Sequence, residues 1–298
     1  MQNWLPRAAE LSAPDKPSAL RRILHTTLGL EGVVGLLLLL FFVVIALFAP
    51  MIAPHDPNDF TGRPLERPGV VHPLGTNDVG QDILSELIYG TRVSLLIAVG
   101  VAIGTVTLAV LIGGTAGYAG GWIDNLLMRL VDVMLAVPRL PLLILITVLA
   151  GAGLAQMTLT MALLFWPGLT RVIRAEVQRL RGRPFVRLAR HFGASPLHIF
   201  RRHLLPALVP LIVFGLVTAA GRAVAMEAAL AFLGLGDPAA KSWGLMMRYA
   251  LNLPGLLLTD RWLWWLLPPG VCITLLILAL TFTGMALENR IDNRGQTR

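Results

Sequence analysis

Apolar residues in this chain come in long blocks, not in the alternation of strands. A bilayer-spanning helix needs about 20 predominantly apolar residues, and six stretches read that way. Val33 to Ala53 carries LLLLLFFVVIALF at its centre and no charge. It is too long and leucine-rich for a signal-peptide core, and no small-residue cleavage pattern follows, so the sequence predicts a retained helix. Val93 to Ala119 is uncharged and glycine-rich. Leu126 to Ala150 is apolar but holds Arg129, Asp132 and Arg139. Gln156 to Val172 follows the short break Gly151-Ala152-Gly153. Ala207 to Leu233 contains Arg222 and Glu227, and Trp262 to Leu287 is headed by Trp262, Trp264 and Trp265, residues suited to a membrane interface. The pattern therefore predicts an all-α, polytopic membrane protein of six helices.

Between these blocks the charge is lopsided. The N-terminal tail holds Arg7, Lys16, Arg21 and Arg22. The loop between the fourth and fifth spans holds Arg171, Arg174, Arg179, Arg181, Arg183, Arg187, Arg190, Arg201 and Arg202 against the single acid Glu176, and the C-terminal tail holds Arg290, Arg294 and Arg298. The stretch Pro54 to Gly90 holds six acids and only Arg63 and Arg67. Six spans put all three basic segments on one side, which the positive-inside rule makes the cytoplasm. The expected organisation is a cytoplasmic tail over 1–32, a first span over 33–53 and an external loop with an interfacial helix over 54–92. A core of five spans follows over 93–288, with a cytoplasmic loop at 174–206 and an external loop at 234–261, and a second cytoplasmic tail covers 289–298.

Composition agrees. Hydrophobic residues make up 55% of the 298 and charged residues 14%, against about 25% in soluble domains. That excludes a water-soluble enzyme and a disordered chain. The net charge of +8 is accounted for by topology, so nucleic acid is not needed as a partner. The lone Cys272 excludes an internal disulfide and a cysteine-based zinc site.

The basic loop has internal order. Pro184 suits a first helical position. Phe185, Val186, Leu188, Ala189 and Phe192 fall on one helical face, Gly193 is placed to end the helix, and Ser195-Pro196 supplies a cap and first residue for a second short helix. The predicted result is a helix–glycine–helix elbow with an apolar stripe and a basic flank. It serves equally as an amphipathic surface on anionic lipid or as a docking helix for a soluble partner.

The stretch Phe185 to Leu208, FVRLARHFGASPLHIFRRHLLPAL, resembles the EAA loop of ABC-transporter permeases. Gly193, Ile199, Leu205 and Pro206 fit its pattern, while Arg187-Leu188-Ala189 stands where Glu-Ala-Ala is usual. Three further blocks are similar to the DppC/OppC-type permeases for peptides and nickel, in the same order: His72-Pro73-Leu74-Gly75-Thr76 through Leu95; Gly120 to Asp132; and Glu227 to Gly236 with Ser242-Trp243-Gly244. The resemblance spans about residues 20 to 293. It implies a MetI-like importer permease in a bacterial inner membrane, with both termini cytoplasmic. Its partners would be a second permease of the DppB/OppB type, two ATPase subunits that bind ATP and Mg, and an external solute-binding protein. The chain itself would bind no cofactor and hold no catalytic residue, and it has no G-x-x-x-x-G-K-[ST] loop for phosphates. The ATPase-coupling contacts implied are Phe185, Arg187, Leu188, Ala189, Phe192, Gly193, Ala194, Ile199, Leu205 and Pro206. Asp237, Lys241 and Trp243, in the last external loop, are the implied contacts for the binding protein.

Charges within spans are costly and point to function. Asp132, Arg139, Arg222 and Glu227 are the candidates for the solute pathway. On one helix Arg129, Asp132 and Arg139 share a stripe, with Arg129 and Asp132 expected to pair. Arg139, between Pro138 and Pro141, either snorkels or lines a path for a carboxylate-bearing solute. Arg222 and Glu227, five residues apart, are too far around the helix to pair well. Asp82 to Tyr89 reads as a helix lying on the membrane plane. His55 and His72 are distant in sequence, and His191, His198 and His203 sit in the elbow, so no metal site is expected. The resemblance implies di- or oligopeptides or a related small solute, with a nickel or metal-chelate importer permease as the alternative; an ion-driven secondary transporter or channel is the alternative of another class, and it would call for inverted repeats and a buried carboxylate relay. An intramembrane enzyme would need paired catalytic residues. Neither signature is visible.

Overall fold

The structure is a computed structural model that describes residues 29–151 and 153–296, with side-chain surroundings as far as Glu288. The tail charges Arg7, Lys16, Arg21, Arg22 and Arg298, and the side chains of Arg290 and Arg294, lie outside the described residues. The chain is all-α. Among the described residues, the extended pairing amounts to an isolated bridge between Thr76 and Asp82.

Helix α1 runs Gly29–Ile52, and its apolar residues need no other explanation than lipid and neighbours. Helix α2 runs Ile83–Ala119, 37 residues, or about 55 Å at 1.5 Å per residue. It begins ten residues earlier than the hydropathy suggests because Asp82 caps it, its carboxylate accepting from the Ser85 backbone N–H at 2.8 Å. The expected interfacial helix at Asp82 to Tyr89 is thus the first turns of α2, and Ile83, Ser85, Glu86 and Ile88 are buried in protein.

The predicted third span is broken. Helix α3, Gly121–Ala136, and helix α4, Arg139–Ala150, meet at 84°. Pro138 explains the break, since proline removes an N–H and disfavours the α region in the residue before it. Val137 is accordingly extended, with ψ 129°. Helix α5, Leu154–Arg181, continues nine residues past the predicted end of the fourth span.

After it come α6, Pro184–His191, and α7, Pro196–Ile199, which passes through a π turn at Phe200–Leu204 into α8, Leu205–Phe232. The wider turn sits just before Pro206, which cannot donate to the preceding turn. The loop after α8 carries α9, Trp243–Asn252, packed against α8. A short turn α10, Trp262–Trp265, leads to α11, Leu267–Gln296.

Four helical stretches are long and apolar enough to cross a membrane, at 29–52, 83–119, 196–232 and 262–288, and the bent pair α3–α4 makes a fifth. Helix α5 is long enough, but Gln156, Thr158, Thr160 and Arg171 dilute its apolar character. It lies parallel to α2 along a seam of small residues. A Cβ on Gly100 or Gly104 would meet Thr158 or Ala162, and one on Gly113 or Gly117 would meet the Thr170 or Arg174 carbonyl, all at 2.6–2.7 Å. Such i, i+4 glycines allow close helix approach in membranes. Parallel α2 and α5 require the chain between them to return, which is the job of α3 and α4. The bundle consequently has two unlike ends, one holding the loops around residues 53–82 and 234–261, the other holding the arginine-rich elbow.

Candidate functional site

The elbow forms as its punctuation suggests. Pro184 opens α6, and Gly193 closes it at φ +79°. The Ala194 N–H donates to the Ala189 carbonyl at 3.0 Å and the Gly193 N–H to the Arg190 carbonyl at 3.1 Å, the paired bonds of a Schellman ending. Ser195 then accepts from the His198 N–H and starts α7.

The apolar stripe, however, is divided. Val186 and Ile199 are fully buried, and Ala189, Ala194 and Leu204 pack with them against Ile173, Val177 and Leu208 of the bundle. Phe185, Leu188, Phe192 and Leu197 point away, with Phe192 83% exposed. Of the ten expected coupling residues, Ile199 is therefore interior, Ala189, Ala194 and Leu205 are partly covered, and Phe185, Arg187, Leu188, Phe192, Gly193 and Pro206 lie on the surface. At 100° per residue the stripe is wide enough for two faces: Val186 and Ala189 glue the elbow to its own bundle, and the other three large residues look outward.

Charge pairs fix the elbow end to the bundle. Asp124 of α3 is buried and receives Arg174 of α5 in a two-pronged bond, Nε–Oδ1 at 2.5 Å and Nη2–Oδ2 at 2.6 Å, with Gln178 Nε2 on the same Oδ2 at 3.1 Å. This fork geometry is the stronger kind of ion pair. Arg181 donates to the Tyr118 carbonyl at 2.7 Å, and Arg190 sits over the Tyr118 ring at 5.3 Å.

Among the pathway candidates, Asp132 bonds to Arg171 of α5. The expected partner Arg129 is exposed and makes no bond to it among the described residues. Arg139 is half-buried at the first turn of α4, and the 84° bend removes it from the stripe it was expected to share with Arg129 and Asp132. Arg222 is exposed, and Glu227 is 2% exposed with one carboxylate oxygen unpaired among the described residues.

At the opposite end a polar platform is buried. Lys241 Nζ donates to Glu86 Oε1 at 2.7 Å and to Gln81 Oε1 at 2.8 Å, while Asn77 Nδ2 donates to Gln81 Oε1 at 3.0 Å. Trp243 is 0% exposed, its Nε1–H donating to the Leu87 carbonyl at 2.9 Å. Gly90 makes room for it, since a Cβ there would lie 2.6 Å from the indole. Asp237 accepts from the Leu154 N–H at 3.3 Å and the Ala239 N–H at 2.9 Å, tying the last loop to the start of α5. Trp243 is thus interior and cannot meet a binding protein here, and Lys241 is turned inward. Beside them Asp56, Tyr89, Arg92, Leu154 and Ala239 border an open cavity of about 310 Å³.

Comparison with known proteins settles the family. The model for binding-protein-dependent transport system inner membrane components matches residues 109–295, and that for the N-terminal transmembrane domain of oligopeptide transport permease C matches residues 32–68. The chain belongs to this ABC-transporter permease family. The dipeptide transport system permease protein DppC of Bacillus subtilis is 33% identical over 277 residues, covering 92% of this chain and 84% of the relative. A protein named as a peptide permease in Brucella suis biovar 1 is 35% identical, covering 92% and 90%, and another from the same organism, named for a peptide transport system, is 36% identical, covering 88% and 87%.

Two constellations of the permease were not foreseen. Asp124 and Arg174 stand 50 residues apart in sequence and Glu86 and Lys241 155 apart, beyond the reach of periodicity. Of the first pair, only the position of Asp124 in a family block was a pointer. His55 and His72 also converge, their rings 4.9 Å apart with Asp82 beside both. This corrects the expectation that nothing brings histidines together.

Proposed function

We propose that this permease is one of two membrane subunits of an ATP-driven importer of di- or oligopeptides in a bacterial inner membrane. Its termini lie in the cytoplasm, and it couples to the ATPase subunits through the elbow. The carrying observation is the outward stripe Phe185, Leu188, Phe192 and Leu197 on an elbow whose other face is anchored to the bundle. An apolar surface of this kind at the arginine-rich end suits a groove on a soluble partner. Because Val186 and Ile199 are locked into the core, force on the outer face reaches α5 and α8 without being lost in a slack loop. Arg187, Arg190, Arg201 and Arg202 surround the stripe and would orient an acidic ATPase surface. ATP and Mg would bind in those subunits, and the chain would contribute half of the pathway and no catalysis.

The platform at the other end faces the solute-binding protein in this reading, with the exposed rim of the cavity near Arg92 and Tyr89, and not Trp243, as the surface available to it. Peptide as the solute rests on the names of the relatives. In this reading Arg139, half-buried beside the helix break, would meet a carboxylate on the way through.

The test is Leu188→Asp and Phe192→Asp, each placing a charge on the outer face. Both variants should insert and melt as the parent does, fail to retain ATPase subunits on purification, and lose at least about tenfold in peptide uptake, equivalent to 1.4 kcal/mol. Retention of the ATPases with normal uptake would reject the elbow as the coupling element. Uptake in proteoliposomes driven by an ion gradient without ATP would instead place the chain among secondary transporters.

A further inference from the structure

The segment after α1, the loop over 62–82 and the start of α2 meet at three side chains that neither coupling nor transport uses. His72 Nδ1 lies 3.0 Å from Asp82 Oδ1, and His55 Nδ1 lies 4.0 Å from Asp82 Oδ2. One ligand atom from each of the three residues lies within 4.8 Å of the others. His72 and Asp82 are 3% and 0% exposed. His55 Nδ1 is buried and has no hydrogen-bond partner among the described residues, although an unpaired buried polar atom is costly. Its own backbone N–H donates to Ser85 Oγ at 3.0 Å, which fixes the backbone at His55 beside the Asp82 carboxylate.

Two neutral imidazoles and a carboxylate carry one net negative charge, and this N₂O donor set suits borderline divalent ions. Ligand atoms on a tetrahedral zinc, bonded at about 2.0–2.1 Å, stand about 3.3 Å from one another. Here His72 Nδ1 is hydrogen-bonded to Oδ1 of Asp82 at 3.0 Å, His55 Nδ1 lies 4.0 Å from Oδ2, and the three ligand atoms stand within 4.8 Å, so an ion seats once the His72 nitrogen exchanges its carboxylate contact for the metal. The surroundings resemble a supporting shell of the sort metal ligands use. The Ser85 hydroxyl and N–H donate to Asp82 Oδ2 at 2.7 and 2.8 Å, fixing the carboxylate. Gly62 lies against the Nε2 edge of His72, where a Cβ would approach to 2.8 Å. The His55 side chain is 25% exposed, which leaves a route of entry and a fourth position for water.

We propose that His55, His72 and Asp82 form a three-ligand site for a divalent cation of the zinc class. The bound ion bridges the end of α1, the loop over 62–82 and the cap of α2. It holds together the loop end on which Glu86, Lys241 and Trp243 are assembled. The imidazoles bind through Nδ1 as neutral ligands, with Asp82 supplying the charge.

The experiment uses the full chain in the complex with which it purifies, carrying an affinity tag without histidine. The sample is stripped with a chelator and titrated with zinc chloride and, separately, cobalt chloride. The expected result is one zinc per chain above the uptake of the His55→Ala variant, and a cobalt complex with the strong visible absorption of a low-coordinate ion. His55→Ala leaves the Asp82–Ser85 cap and the His72 contact intact, so it should fold; its affinity should fall by at least roughly tenfold. His72→Ala should behave alike, and if that variant fails to fold, the cobalt spectrum of His55→Ala decides. Equal zinc uptake by parent and His55→Ala overturns the site. So does the absence of uptake in the parent, in which case a melting temperature that responds to pH but not to zinc would make a proton the partner of His55.

Discussion

The two ends of the bundle solve opposite problems with similar materials. At the loop end, Lys241, Glu86, Gln81, Asn77 and Trp243 are turned inward and bonded to one another or to backbone. At the elbow end, Phe185, Leu188, Phe192 and Leu197 are turned outward among exposed arginines. The first region is finished by its own chain, while the second leaves an apolar stripe that the described residues do not cover. Exposed large apolar residues in contact with water rather than lipid mark interaction surfaces, whereas a buried and satisfied polar network makes one arrangement unique. Substitutions at the loop end should accordingly show up in stability, and those at the elbow in assembly and uptake.

The largest expected effect is Trp243→Ala. The indole packs edge-on to Phe42 with ring centres 5.7 Å apart and fills the space left by Gly90. Its loss should cost about 3–5 kcal/mol, read as a fall in the detergent-solubilised melting temperature together with poor yield. An unchanged melting temperature would contradict the interior placement of Trp243. Next comes Lys241→Met, which strands the Glu86 carboxylate among Asn77 and Gln81. Removing one member of a buried pair costs about 3 kcal/mol or more, and adding Glu86→Gln should recover much of that. A double variant no better than the single would mean that the two groups do not act as a pair.

The contrast also explains what could be read in advance. Runs such as Val33 to Ala53 announce a span because bilayer thickness fixes the length, and Pro184, Gly193 and Ser195-Pro196 announce the elbow because backbone chemistry fixes each role. The early start of α2 was legible too, in the Asp82-x-x-Ser85 cap, but hydropathy hid it because Glu86 and Gln81 look like loop residues until Lys241 arrives from 155 positions away. Pro138 gave a signal for the break in the third span, although an apolar run on both sides read as continuous. The split stripe was beyond the pattern, because a wheel shows that Val186 and Phe185 share an apolar arc but not which part of the arc meets the chain's own core. The convergence of His55, His72 and Asp82 depends on how the irregular loop over 53–82 is folded, and no period encodes that.

The smallest effect sharpens the comparison most. Gly193 has φ +79° and no atom within 4 Å of where a Cβ would stand. Gly193→Ala therefore adds backbone strain alone, about 1–2 kcal/mol, at a surface where nothing is crowded. If the elbow is a rigid coupler, the strain should loosen the Gly193 and Ala194 bonds to the end of α6 and let Phe192 move relative to the anchored Val186. The melting temperature should change little, because Val186 and Ile199 keep their burial, yet ATP hydrolysis should become less dependent on the presence of peptide. Unchanged coupling in Gly193→Ala, alongside loss of ATPase binding in Leu188→Asp, would mean that the elbow needs its outer stripe but not its stiffness. Docking and force transmission would then be separate properties of the same eight-residue helix.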